Sequence, residues 1–116
     1  MSRKTVFEMS FSSVYQLLVR KVERKGRTRA ELDEAACWLT GYTVGQIEAL
    51  MSSDATYGQF LEGAPAYNPA SSLITGKVCG VQVETIENPL EKRMRQLDKL
   101  ADELAKGRPM EKVLRS

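Results

Sequence analysis

The sequence predicts a small, mainly α-helical domain, and three observations point to it. A Thr-x-x-Glu/Gln pattern, the signature of a helix capping box, occurs at Thr28–Glu31, Thr43–Gln46 and Thr56–Gln59. From residue 89 to 106 the apolar residues step by three and four, the period of one buried helix face. Strict alternation, the mark of a half-buried strand, is confined to Phe7–Phe11 and Cys79–Val83. The expected architecture is a compact orthogonal bundle of five to seven short helices around a long C-terminal helix at about 89–106. It leaves room for at most a minor two-stranded β pairing, between Phe7–Phe11 and Val78–Val83. Residues 1–116 read as a single helical domain with no separate linker or targeting segment.

Taken in order, the first helix is expected to open at Ser12 or Ser13, with Ser13 and Gln16 as its capping box, and to end at Gly26. Val14, Leu17, Leu18 and Val22 form its apolar stripe. The second begins at Thr28 and buries Leu32, Ala35, Ala36 and Leu39; the paired alanines imply a close helix neighbour. Gly41 stops it, Thr43 caps the third helix, and Val44, Ile47, Leu50 and Met51 supply that helix's buried face. Tyr42 and Ile47 are spaced for a hydrophobic staple. The corner from Trp38 to Thr43, holding the one Trp, is the hinge pin of this reading.

Thr56 opens a short fourth helix that Gly63 and Pro65 end, and Asn68–Pro69 is a cap followed by a first-position proline. Residues 73–83 fit helix and strand equally well, and Gly80-Val-Gln-Val echoes the Gly41 corner. Asn88, Pro89 and Glu91 start the long helix, whose stripe is Leu90, Met94, Leu97, Leu100, Ala101 and Leu104. Glu91–Arg95, Lys99–Glu103 and Asp102–Lys106 read as exposed i,i+4 pairs. Gly107 ends the helix, and Met110, Val113 and Leu114 can fold back in a last turn.

Composition narrows function more than it names it. With 42% hydrophobic and 28% charged residues, the 116-residue chain can bury a core without metals or disulfides. No apolar run nears the ~20 residues of a membrane span, and the N-terminus has no signal-peptide h-region, so a cytoplasmic protein with no membrane partner is expected. Cys37 and Cys79 read as free, mostly buried thiols. The chain has no His, which removes Ser-His and Cys-His nucleophiles and imidazole ligands together. No catalytic, cofactor-binding or metal-ligating constellation is read from it, and an enzyme is disfavoured. Asp98, Asp102 and Glu103 read as part of a solvated, salt-bridged face.

Charge is segregated along the chain. Residues 1–29 carry a balance of +6, residues 30–76 carry −6, and residues 77–116 carry +2. The candidate contact residues are the basic cluster Arg20, Lys21, Arg24, Lys25, Arg27 and Arg29, with Trp38 and Tyr42 at the corner. Such a cluster can track a phosphate backbone; it can equally complement the C-terminal dipole of the first helix. By elimination the leading reading is a protein-interaction or self-associating module. Nucleic-acid binding through residues 20–29 is the alternative, and an enzyme of unrecognised type ranks third.

Several short stretches carry a family resemblance: Lys25-Gly-Arg-Thr28, Trp38-Leu-Thr-Gly-Tyr42, Ala64-Pro65 with Asn68-Pro69, Ile74-Thr-Gly76, Cys79-Gly-Val81, Leu97-Asp-Lys-Leu100 and Asp102-Glu-Leu-Ala-Lys-Gly107. Val83-Glu84 and Met110-Glu-Lys-Val-Leu-Arg115 fit as well. In that order they resemble, nearly end to end, the small bacterial proteins numbered 2200 in the domain-of-unknown-function series. The chain departs at Gln96, where an aromatic residue is expected, and at Pro109, where a small helix former is expected. The resemblance implies a small, mainly helical bacterial domain and assigns no site residues.

Overall fold

A computed structural model describes residues 6–115. Part of the segment read for a leader, and two cations of the basic N-terminal balance, fall within 1–5 and so outside the described residues. Among the described residues there are six α-helices: α1 Phe11–Glu23, α2 Arg29–Thr40, α3 Val44–Met51, α4 Tyr57–Glu62, α5 Pro89–Ala105 and α6 Met110–Val113. A two-stranded sheet, β1 Lys77–Val78 and β2 Val81–Gln82, lies between α4 and α5 in the chain. The fold is mainly helical, as the sequence predicts.

The three Thr capping boxes fold as written. Thr28, Thr43 and Thr56 each accept from the backbone N–H three residues on, while Glu31, Gln46 and Gln59 reach back to the cap N–H. Asn88 accepts from Glu91 N at 2.9 Å, with Pro89 at the first turn of α5. Each cap satisfies donors that would otherwise have no partner at a helix start.

α5 is the central element, with α1, α2, α4, β1 and α6 packed around it. Its Leu97, Leu100, Ala101 and Leu104 are fully buried, as are Leu32, Ala35, Ala36 and Leu39 of α2. An aromatic cluster fills the α1–α4 side. Phe11 stacks on Phe60 at 4.2 Å between ring centroids, and Tyr57 and Tyr15 flank the pair. Such offset contacts add about 0.5–1.5 kcal/mol beyond area burial. Tyr15 also donates to Asp33 at 2.6 Å, and burial together with that bond pushes its phenol upward.

The end of α2 shows why the corner needs glycine. Gly41 sits at φ +83° and its N–H returns to Cys37 O. The next carbonyls are taken by the following connector: Asn68 Nδ2 to Trp38 O, Asn68 N to Leu39 O, and Ala66 N to Thr40 O. The Ala64–Asn68 segment therefore straps the open end of α2, satisfying acceptors the helix cannot satisfy itself.

Several expectations give way. Phe7–Phe11 is not a strand: Val6–Glu8 is a 3-10 turn, and Ser10 makes only an isolated bridge to Thr56. Among the described residues Val78–Val83 pairs with no N-terminal segment, because Lys77–Val78 and Val81–Gln82 pair with each other. Their two-residue turn has positive φ at both Cys79 (51°) and Gly80 (77°), the geometry that matches strand twist. Gly80 is thus a hairpin glycine, and a single 3-10 turn, Val83–Thr85, follows it in the register of the Gly41 corner. Cys79 is exposed and Cys37 only half-buried, so the thiols are not core residues.

α1 starts at Phe11 with Ser10 as its cap, ahead of the expected Ser12 or Ser13, so Ser13 and Gln16 lie inside the helix and are not its capping box. Burying Phe11 among the rings draws it into the first turn. Leu17 and Val44, expected in the core, are 55% and 50% exposed. Leu17→Gln is therefore expected to change stability by less than about 0.5 kcal/mol, as surface substitutions do. A loss near 2 kcal/mol in chemical denaturation would place Leu17 inside.

Candidate functional site

The candidate basic residues divide into two groups in the fold. Arg27, Arg29 and Lys21 serve within the protein. Arg27 forks onto Glu31 Oε2 at 3.0 and 2.8 Å, and its Nη1 donates to Leu104 O and Arg108 O. The Arg27 hydrogen bond, helped by the Thr28 amide, holds the Glu31 carboxyl below its usual range. A depressed carboxyl adds stability above its unfolded value, and that stability is lost as pH falls through the folded one. Arg29 bridges Asp33 and Glu48, tying the basic end of the chain to acidic α3. Lys21 lies 3.5 Å from Asp102. Arg20, Arg24 and Lys25, by contrast, are exposed.

Trp38 and Tyr42 do not join this cluster. They lie toward the far end of α2, Trp38 about 13 Å of helix rise from Arg29 and Tyr42 just past the helix. Tyr42 stacks on Phe60 at 5.0 Å and donates to Phe60 O at 2.8 Å, and Trp38 is half-buried against the core. Both are parts of the corner's packing.

What sequence reading missed is a trough over the first two turns of α5. One depression of 360 Å³ is bounded by Glu62, Asn88, Pro89, Leu90 and Arg93. A second, of 220 Å³, is bounded by Tyr67, Ser71, Ser72, Lys92 and Gln96, and shares Pro89 and Arg93 with the first. Pro89 and Arg93 line both, so the two depressions are neighbours along the start of α5. The Arg93 guanidinium lies 4.2 Å over the Tyr67 ring, and its Nη1 donates to Leu61 O at 2.7 Å. Tyr67 donates its hydroxyl to Gln96 Oε1, whose Nε2 reaches Ser71 O at 3.2 Å.

Gln96 is buried, so this polar chain fixes the Tyr67 ring that floors the trough. The signal available beforehand was Gln96 itself, the polar residue where the family resemblance expects an aromatic. The other departure, Pro109, precedes α6, its carbonyl accepting from Lys112 N and Val113 N.

The Asp98, Asp102 and Glu103 face is not simply solvated. Burial raises the Asp98 carboxyl, and Glu103 is only 4% exposed. Its Oε2 accepts from Arg108 at 2.9 Å and from Arg115, with Lys99 at 3.9 Å. Asp102 is held by Lys106 at 3.0 Å; burial opposes its charge, but bonds and charge from Lys106 and Lys21 outweigh it and lower its carboxyl. Arg95 pairs with Asp98 at 3.6 Å.

Comparison with known proteins places the chain. The family described as uncharacterized protein conserved in bacteria, DUF2200, matches residues 5–115. The chain belongs to that family. It is also similar to the crystal structure of uncharacterized protein SP1917, at 46% identity and a TM-score of 0.92. The similarity covers 98% of this chain and 93% of that one. No curated protein matches the chain. Among the described residues no group of three or more acidic or Cys side chains is placed to hold a metal ion. No described helix is long and apolar enough to cross a membrane.

Proposed function

We propose that this DUF2200 member is a non-catalytic protein-interaction module that docks an acidic peptide segment in the α5 trough. The observation that carries the reading is that two neighbouring depressions along the start of α5 share Pro89 and Arg93 as lining. Side by side they offer adjacent subsites, as a groove that takes successive side chains of a bound segment does. Its chemistry suits binding. Leu90, Pro89 and the Tyr67 ring offer apolar contact, while Lys92 and Arg93, beside the positive end of α5, favour carboxylates. Ser71 and Ser72 are its only hydroxyl nucleophile candidates besides Tyr67, and neither side chain bonds to a base: Ser72 donates to Pro69 O.

The test compares partner capture by the wild-type chain with capture by Lys92→Glu and by Ser72→Trp, which fills the second depression. Each substitution is expected to weaken recovery of the captured partner about tenfold or more, the scale of one lost interface anchor. Both variants should keep the wild-type melting temperature. Equal recovery by all three proteins would sink the reading. Light scattering across concentration reads the self-associating form, and a mass that never rises would remove it.

A further inference from the structure

A second surface lies at the opposite end of α5. There the C-termini of α1 and α5 come together, and with them two basic segments about eighty residues apart in sequence. Lys21 and Lys106 hold the two oxygens of one carboxylate, Asp102, at 3.5 and 3.0 Å. Arg27 stitches the turn after α1 to the end of α5 through Leu104 O and Arg108 O. Arg24 and Lys25, in the turn between α1 and Arg27, are exposed, as are Lys106 and Arg108 beyond the last turn of α5.

The acids at this end are largely spoken for. Glu31 is forked by Arg27, Asp102 is shared by two lysines, and Glu103 is buried under Arg108 and Arg115. Only Glu23 is an exposed acid on the last turn of α1. Two helix C-termini here contribute about half a negative charge each. That, with Glu23, is too little to balance Arg20, Arg24 and Lys25, while Lys106 and Arg108 extend the surface although paired with Asp102 and Glu103. Dipole complementation explains a cation or two at this end, not the whole set. On the α5 side a recess of 350 Å³ is lined by Lys99, Lys106, Gly107, Arg108 and the ion-paired Glu103.

We infer that this pole is a nucleic-acid contact surface, in which Arg24 and Lys25 on one side and Lys106 and Arg108 on the other straddle a phosphate backbone. The surface reads backbone and not sequence, since exposed cations meet phosphates, which carry no sequence information. It is separate from the α5 trough, so either can stand without the other.

The experiment is a mobility-shift titration of the wild-type chain with a short mixed-sequence DNA duplex and with a single-stranded RNA of the same length. About four phosphate contacts predict a roughly 100-fold fall in affinity between about 50 and about 200 mM salt. Arg24→Ala with Lys25→Ala should reduce the salt slope by about 2, and Lys106→Ala by about 1. Leu17→Gln, an exposed site where no charge changes, should leave binding unchanged. Amide shifts mapped on the wild-type chain during titration should cluster at 20–27 and 104–110, which keeps the test independent of any variant's folding. Duplex or single strand, whichever binds more tightly, identifies the form. Salt-independent or absent binding to both, binding to heparin alone, or a slope untouched by Lys106→Ala would overturn the inference.

Discussion

Gly41→Ala is expected to destabilise the protein by roughly 2–4 kcal/mol, the sum of a left-handed non-glycine residue and an overpacked contact. The residue sits at φ +83°, and an added Cβ would meet Ala66 Cβ at 2.7 Å and Ala66 N at 2.8 Å. Ala66 cannot step back cheaply. Its N–H caps Thr40 O, and two residues on Asn68 holds Leu39 O and Trp38 O, so retreat would bare the end of α2. Urea unfolding checks the figure. Gly26→Ala is the control: its φ is +85° but no atom lies within 4 Å of the added carbon. It should cost only the backbone part, about 1 kcal/mol. Equal losses at the two sites would show that the contact with Ala66 contributes nothing.

The second large effect is expected at Glu103. Glu103→Ala removes a carboxylate that is 4% exposed and gathers Arg108, Arg115 and Lys99. Breaking a buried ion pair from one side costs about 3–5 kcal/mol when the partner charge stays buried. Lys99 and Arg115 are mostly buried and cannot easily leave, whereas Arg108 is half-exposed and can turn into water. The loss should therefore fall at the lower end, about 3 kcal/mol. It should be unevenly distributed. α6 is a single turn whose anchor is Val113, so amide exchange at 110–114 should accelerate before the rest of the chain responds. Lys106→Ala, which removes only an exposed partner of Asp102, should change stability by less than about 1 kcal/mol. Wild-type stability and exchange in Glu103→Ala would mean the carboxylate holds nothing.

Helix ends were the most legible part of this chain, because their chemistry is local. A Thr cap and its Glu or Gln partner are three residues apart and need no other element to meet. The boxes at Thr28, Thr43 and Thr56 and the Asn88–Pro89 start of α5 could be read directly. Long amphipathic stripes were nearly as clear, since a 3.6-residue period across several turns of α5 has one buried solution. Short alternating runs were not. Phe7–Phe11 and Cys79–Val83 are too brief for period alone to choose a partner, and the hairpin at Cys79–Gly80 closed the second run on itself.

By itself, then, the sequence determined the starts of α2, α3, α4 and α5, the buried face of α2 and α5, and that the chain carries no histidine. Tertiary structure alone decided which charges remain available. Arg24 and Arg27 are indistinguishable as residue types three positions apart, yet one is exposed and the other is spent on Glu31, Leu104 O and Arg108 O. Glu103 and Asp102 are neighbours on one helix, but only Glu103 turns inward beneath α6. The trough depends on Tyr67 meeting Arg93 and Gln96, and the basic pole on α1 and α5 ending side by side. The charge balances of the segments could say how much charge there was. Where it stood was set by packing, because electrostatic partners follow distance in space and not separation in sequence.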